Sequence, residues 1–265
     1  MKNWFYIFIA ASFLSACTEK IEVDIPENTE KLVVEGAVTS ELDSSFIRLT
    51  QSVGFFDDNK PTPTIENATV TVNGVPFLHT TKGIYKPAAS YLGTAGNTYN
   101  LIIAHNGKQY TSSSTLEPMF KIDTVVPVFK AAQGFLEEGY TVAYFGFDTR
   151  PQIKYTYVRF GFKGKDSINE SYSDFRVLFD NKGQDPTQPV VFEIPFVRLN
   201  IGDTSLLIFR SIDQSLYRYL LALGNRGGGG PFSTPPANLP SNIKGENALG
   251  LFAAYDVVRF RTRIR

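Results

Sequence analysis

Hydrophobic and polar residues alternate with period two along most of this chain, the spacing of half-buried strands. Lys31–Val38 (KLVVEGAV), Ser45–Thr50 (SFIRLT) and Ala68–Val72 (ATVTV) all follow it. Asn73-Gly74 supplies two residues that tolerate positive φ, so Val75–His79 returns as the second arm of a hairpin. Gly83-Ile84-Tyr85 starts another short strand. Tyr99–Ala104, Asn106-Gly107 and Lys108–Ser113 repeat the hairpin pattern. Strands so short and closely spaced predict an immunoglobulin-like or transthyretin-like sandwich over residues 25–118, closed by Pro118. From about Ile122 the alternation resumes with more aromatic residues. It runs through Tyr140–Phe147, Ile153–Phe162, Asp174–Phe179 and Val190–Phe196, and a last strand runs from about Leu249 to Ile264. Residues 122–265 are therefore expected to form a larger antiparallel β domain, a sheet or a partly closed barrel.

One stretch departs from this period. In Ser211–Leu223 (SIDQSLYRYLLAL), Ile212, Leu216, Tyr219, Leu220 and Leu223 fall on one helical face. Ser211 followed by Gln214 has the form of a capping box, and Gly224-Asn225 ends the pattern. A single helix over 211–223 is expected to pack on the second domain. Residues 226–242 are rich in Gly and Pro.

The N-terminus reads as an address. Lys2 precedes the apolar run Trp4–Leu14, and small residues follow. Such a run is about 16 Å long as a helix, too short for a hydrocarbon core of about 30 Å. Residues 1–16 are thus expected to be a removable signal. Leu14-Ser15-Ala16-Cys17 resembles a bacterial lipobox, which implies acylation of Cys17 and cleavage before it. Two or more acyl chains anchor stably at about 0.8 kcal/mol per buried CH2. Residues 17–30 carry Glu19, Glu22, Asp24, Glu27 and Glu30 and read as an acidic tether.

Composition narrows the chemistry. Lys+Arg and Asp+Glu are both 26, without the basic excess typical of a nucleic-acid binder. Cys17 is the only cysteine and Trp4 the only tryptophan, so neither a disulfide nor a thiol nucleophile is expected once the signal is removed. His79 and His105 are the only histidines and lack metal-ligand spacing. No Gly-x-Ser-x-Gly elbow surrounds any serine. Gly227–Gly230 follows a helix rather than opening one, and no Gly-Lys-Ser/Thr accompanies it, so it reads as a surface loop and not as a phosphate cradle. Arg259, Arg261, Arg263 and Arg265 alternate with Phe260, Thr262 and Ile264, which puts four guanidinium groups on one strand face. That face reads first as solvated, second as facing an anion or glycan. Tyr155, Tyr157, Tyr217 and Tyr219 could stack on sugars but fit a half-buried role equally.

Several segments in fixed order resemble a known family. They are Cys17, Leu32-Val33-Val34-Glu35-Gly36, Asn67-Ala68-Thr69-Val70, Gly83-Ile84-Tyr85 and Ile212 through Tyr219. Pro231-Phe232, Pro240-Ser241-Asn242-Ile243 and Leu249-Gly250-Leu251-Phe252 follow. Together they resemble the Bacteroidota lipoproteins grouped as domain of unknown function 4249, across nearly the whole mature chain. The resemblance supplies no catalytic residues. It implies an outer-membrane setting, because members often lie near genes for TonB-dependent transporters.

The expectation that follows is a non-enzymatic protein anchored to the outer membrane through lipid on Cys17, accessory to a TonB-dependent transporter and needing no cofactor. Its partner contact is expected in the loop of Arg226, Gly227, Gly228, Gly229, Gly230 and Pro231. The alternative is a surface protein that captures a glycan or peptide. A third reading is a hydrolase built from carboxylates alone, since two suffice for glycoside hydrolysis.

Overall fold

The computed structural model describes residues 30–53, 61–164, 176–195, 197–224 and 239–265. Over these residues it is mainly β, with one helix and a large sheet, antiparallel except where its first strand meets its last, that is not closed into a barrel. The first seven strands are β1 (Leu32–Thr39), β2 (Phe46–Gln51), β3 (Thr69–Val72), β4 (Val75–Thr81), β5 (Ile84–Pro87), β6 (Thr98–His105) and β7 (Lys108–Thr115). Next come β8 (Lys121–Lys130), β9 (Gly139–Phe147), β10 (Tyr155–Lys163), β11 (Arg176–Asp180), β12 (Val190–Glu193) and β13 (Thr204–Ile212). Helix α1 (Gln214–Gly224) and β14 (Ala248–Arg263) complete the order.

Local chemistry sets the hairpins. Asn73 and Gly74 have φ of 48° and 79°, and Asn106 and Gly107 have 48° and 72°. Both turns thus twist with their strands. Eleven strands form one sheet in the order β11-β10-β13-β14-β1-β2-β5-β4-β3-β6-β7, and β12-β9-β8 form a second.

The sixteen-residue strand β14 joins the two segments of the chain. Its first half pairs in parallel with β1, from Leu32↔Ala248 to Thr39↔Tyr255. Its second half pairs antiparallel with β13, from Ser211↔Asp256 to Thr204↔Arg263. Phe252 and Ala254 therefore pack with Val34, Ile47, Leu101 and Ile103 in the first core, while Phe260 and Ile264 pack with Val158, Leu207 and Phe209 in the second. The sheet also curls back on itself, because Ser112 of β7 donates to the Asn242 carbonyl at 3.0 Å and Ser114 of β7 accepts from Ala254 N–H at 2.7 Å. The resulting first core lies between two walls of one sheet, as in a sandwich. The second core lies between β10, β13 and β14 on one side and β8, β9 and β12 on the other.

Gly250 is required where β14 meets β1. Its φ is +116°, and a Cβ there would lie 1.9 Å from the Val34 carbonyl oxygen. Asn242 fixes the next strand position, accepting from Phe252 N–H at 2.9 Å and donating to its carbonyl at 2.7 Å.

Candidate functional site

Helix α1 crosses the face of the large sheet that is turned away from both cores. The expected helix began at Ser211 with that residue as its cap. In the structure Asp213 is the cap instead: its carboxylate accepts from Leu216 N–H at 2.8 Å and its carbonyl from Tyr217 N–H at 3.0 Å. Ser211 and Ile212 are fully buried at the end of β13, and apolar burial outweighs an extra helical turn there. Asp213 also accepts from Ser114 Oγ, so one carboxylate ties β7 to α1. Burial pushes its pKa up, opposed by these donors.

Below α1, Tyr217 stacks on Tyr155 with ring centroids 4.4 Å apart. Leu216 and Tyr219 form one wall of a groove of about 310 Å³, floored by Val33 and Ala37 of β1 and by Ala253 and Tyr255 of β14. None of the helical residues is fully buried. Of the expected apolar face, Ile212 is buried at the end of β13 and Leu223 in the last turn of the helix is 37% exposed; Leu221, off that face, is 42% exposed.

The same sheet face continues into a field of arginines. Cross-strand partners point to one side of a sheet. Arg176 of β11 lies opposite Arg159 of β10, Arg159 opposite Ile208 of β13, and Ile208 opposite Arg259 of β14. In the adjacent row Arg210 lies between Tyr157 and Val257. The Arg210 guanidinium sits 5.5 Å from the Tyr157 ring centroid and 5.7 Å from that of Tyr255. Burial pushes the Arg210 pKa down; the two tyrosines oppose this, and the nearby charges of Arg159 and Arg259 add to it. Arg259 also holds Glu41 through two of its nitrogens, and this contact holds the Glu41 pKa below the usual carboxylate value. Tyr255 lines the groove and contacts Arg210, so groove and arginine face are continuous.

A second cleft, of about 430 Å³, lies between the chain after β9 and the turn after β11, lined by Asp148, Arg150, Gln152, Asn181 and Lys182 among others. Its charges are committed to structure. Asp148 and Arg150 form a buried ion pair at 2.6 Å. Arg150 also donates to the Pro118 carbonyl at 3.1 Å and to Ser211 Oγ at 3.0 Å, and lies 5.4 Å from the Phe120 ring centroid. Beside it Lys154 pairs with Glu117 at 2.6 Å. Asp256 likewise accepts from Ser40 Oγ at 2.6 Å and from Met119 N–H at 2.9 Å. These groups pin the crossing from β7 to β8.

Cys17 and the loop Arg226, Gly227, Gly228, Gly229, Gly230 and Pro231 lie outside the described residues. The loop's described flanks are the last turn of α1 and the Asn242 clamp on β14. His79 lies in β4 beside Tyr85 and 3.9 Å from a Glu66 oxygen, and His105 ends β6; among the described residues no group of three or more His, Cys, Asp and Glu forms. Arg259, Arg261 and Arg263 share one face, as their spacing predicts, while Arg265, expected on the same face, lies beyond the end of β14. Beyond Tyr255, β14 pairs on one side only among the described strands. Arg159, Arg176 and Arg210 were not singled out by sequence reasoning. Arg176 and Arg210 are each the lone cation of their strand, Arg159 shares β10 only with Lys163, and only register places them beside β14.

Fold and site together define a mainly β protein whose open sheet face carries a short groove and a concentration of arginine. The chain belongs to the family described as a domain of unknown function (DUF4249), whose model matches residues 18–261. No curated protein and no solved structure matches it.

Proposed function

We propose that this protein is a lipid-anchored outer-membrane protein that works by binding, as a non-enzymatic accessory of a TonB-dependent transporter. The anchor rests on Lys2, the apolar run Trp4–Leu14 and the lipobox-like Leu14-Ser15-Ala16-Cys17. The transporter rests on the setting that the family resemblance implies. Which side of the outer membrane carries it, periplasmic or external, is left to the localisation of the partner.

The observation that carries the binding reading is the groove under α1. Its floor is apolar apart from Glu35, it continues through Tyr255 into the arginine face, and Leu223, one turn beyond Tyr219, is partly exposed. That helix end leads directly into residues 225–238, which contain the loop expected to touch the partner. Anchoring in the same membrane raises effective concentration, so a modest interface can be occupied.

Cross-linking in membranes, followed by detergent solubilisation and pull-down, tests this. Wild-type protein should recover a TonB-dependent transporter. Deleting Gly227–Gly230 should lower recovery while the melting temperature stays nearly unchanged. Cys17→Ala should abolish fatty-acid labelling and release the protein from membranes; a variant that still labels and pellets removes the anchor. Equal recovery from the deletion and the wild type removes the loop. A second reading, capture of a glycan or peptide, is favoured by the Tyr155–Tyr217 stack and by the two tyrosines around Arg210. A lone protein carrying a bound small molecule would select it.

A further inference from the structure

We infer that the arginine face beside the α1 groove is a docking surface for an extended acidic peptide segment of a partner protein, with an apolar side chain of that segment seated in the groove. This deepens the binding reading above and rests on it.

Charge is the first ground. The chain as a whole is balanced, with 26 basic and 26 acidic residues. Yet register gathers six arginines from four adjacent strands on one face: Arg159, Arg176 and Arg210, with Arg259, Arg261 and Arg263. Arg159 lies directly opposite Arg176, a like-charge pairing that costs stability in a sheet. What draws an anion is the net charge of the face: Arg159, Arg176, Arg259 and Arg261 all make contacts within the chain, and six arginines outnumber Glu41 and Asp180 on that side. The face already seats one carboxylate: Glu41 engages Arg259 through both Nε and Nη2, the forked geometry that guanidinium groups offer carboxylates.

Spacing favours a peptide over other polyanions. Arg259, Arg261 and Arg263 recur about every 7 Å along β14, the interval between alternate side chains of an extended peptide. Val257–Arg263 pairs only with β13 among the described strands; at its other edge Val257 N–H donates to Ser40 Oγ at 2.8 Å. Tyr255 links this row to the groove floored by Val33, Ala37 and Ala253. A segment with an apolar residue followed by alternating carboxylates would meet both regions at once.

Position argues against a lipid surface. Leu32, where β1 begins, is level with Ala248. The eleven residues from Ala248 to Arg259 span about 36 Å at roughly 3.3 Å each. The arginines thus lie at the far end of β14 from the point where the N-terminal tether joins the fold.

The test uses the full mature chain and a fluorescein-labelled peptide of Leu and Phe followed by alternating Glu and Thr, about twelve residues in all. A Lys-for-Glu peptide, a sulfated oligosaccharide and vesicles of phosphatidylcholine with phosphatidylglycerol serve as comparisons. The acidic peptide should bind, and binding should fall as salt is raised from about 50 to 200 mM. Arg261→Glu with Arg263→Glu should weaken it at least about tenfold. Arg261→Gln with Arg263→Gln should weaken it less, and both variants should keep the wild-type far-ultraviolet circular dichroism and a cooperative melt. No binding of the acidic peptide, or equal binding by the Glu variant, overturns the proposal. Tighter retention by the sulfated oligosaccharide or the vesicles, lost in the same variants, gives the face to that polyanion and overturns the peptide. Cross-linking separates this from the transporter reading. If the Glu variant loses peptide binding but still recovers the transporter, the docking surface fails and the transporter stands. If wild type binds the peptide but recovers no transporter, the reverse holds.

Discussion

Replacing Phe252 by Ala tests whether β14 couples the two cores. Phe252 is fully buried and packs among first-core residues, although it lies far along the chain from most of them. Its N–H and carbonyl are held by Asn242, so the substitution leaves the strand's backbone bonds in place and removes side-chain packing alone. Truncating a buried Phe costs about 3–5 kcal/mol, a large share of the roughly 5–15 kcal/mol that holds a domain folded. For a chain of this size each kcal/mol moves the midpoint by about 2–4 °C, so the melting temperature should drop by about 6–20 °C. Phe209→Ala is the counterpart in the second core, where Phe209 meets Tyr144 edge-on with centroids 4.7 Å apart. Because β14 is hydrogen-bonded to β1 over one half and to β13 over the other, both substitutions should shift one shared transition. Urea and thermal unfolding, followed by far-ultraviolet circular dichroism and tyrosine fluorescence, read this directly. Two separate transitions, with Phe252→Ala moving only one, would refute the coupling. A loss below about 1 kcal/mol would refute the packing.

Gly250→Ala should cost at least about 2 kcal/mol in urea unfolding, because its positive φ and the 1.9 Å approach to Val34 O force β1 and β14 apart. Asp213→Ala should cost about 1 kcal/mol by removing the cap of α1, and amide exchange should rise first at Leu216 and Tyr217. Glu41 has a folded pKa below its ordinary 4.5, so its contact with Arg259 stabilises above that value and is lost as pH falls through the folded pKa. The melting temperatures of wild type and Glu41→Gln should accordingly differ at pH 7 and converge as pH falls below the folded pKa of Glu41; a constant difference would refute the linkage.

Local rules made much of this fold legible. Asn73-Gly74 and Asn106-Gly107 announced their hairpins because positive φ at both residues is a local demand. Most strands followed from alternation to within a residue or two. Strand β13 was missed because Leu206-Leu207-Ile208-Phe209 is apolar without interruption. Leu206 and Ile208 on the arginine face are as apolar and nearly as buried as Leu207 and Phe209 on the core face, so the period-two signal vanishes. The helix start was misplaced because Ile212 suits a helical face as well as a buried strand end, and only the tertiary core decides between them. The groove and the arginine face were out of reach of local patterns. They require knowing that β14 lies beside β13 and β1, a pairing between residues more than 200 positions apart on the β1 side.

That separation has a consequence for how the chain comes to be folded. Ser40 and Asp256, which hydrogen-bond at the end of the β1–β14 ladder, are 216 positions apart. At about 5–20 residues per second, synthesis reaches the second roughly 10–40 s after the first. Pairings of such long range are also slow to form, because loop closure precedes any gain from contact. Throughout that interval β1 has β2 on one side and an open row of N–H and C=O groups on the other, a template for any passing strand. The newborn chain is therefore most prone to aggregation along β1, and a holding factor that covers Leu32–Thr39 until β14 arrives would do more for its yield than any gain in the stability of the finished fold.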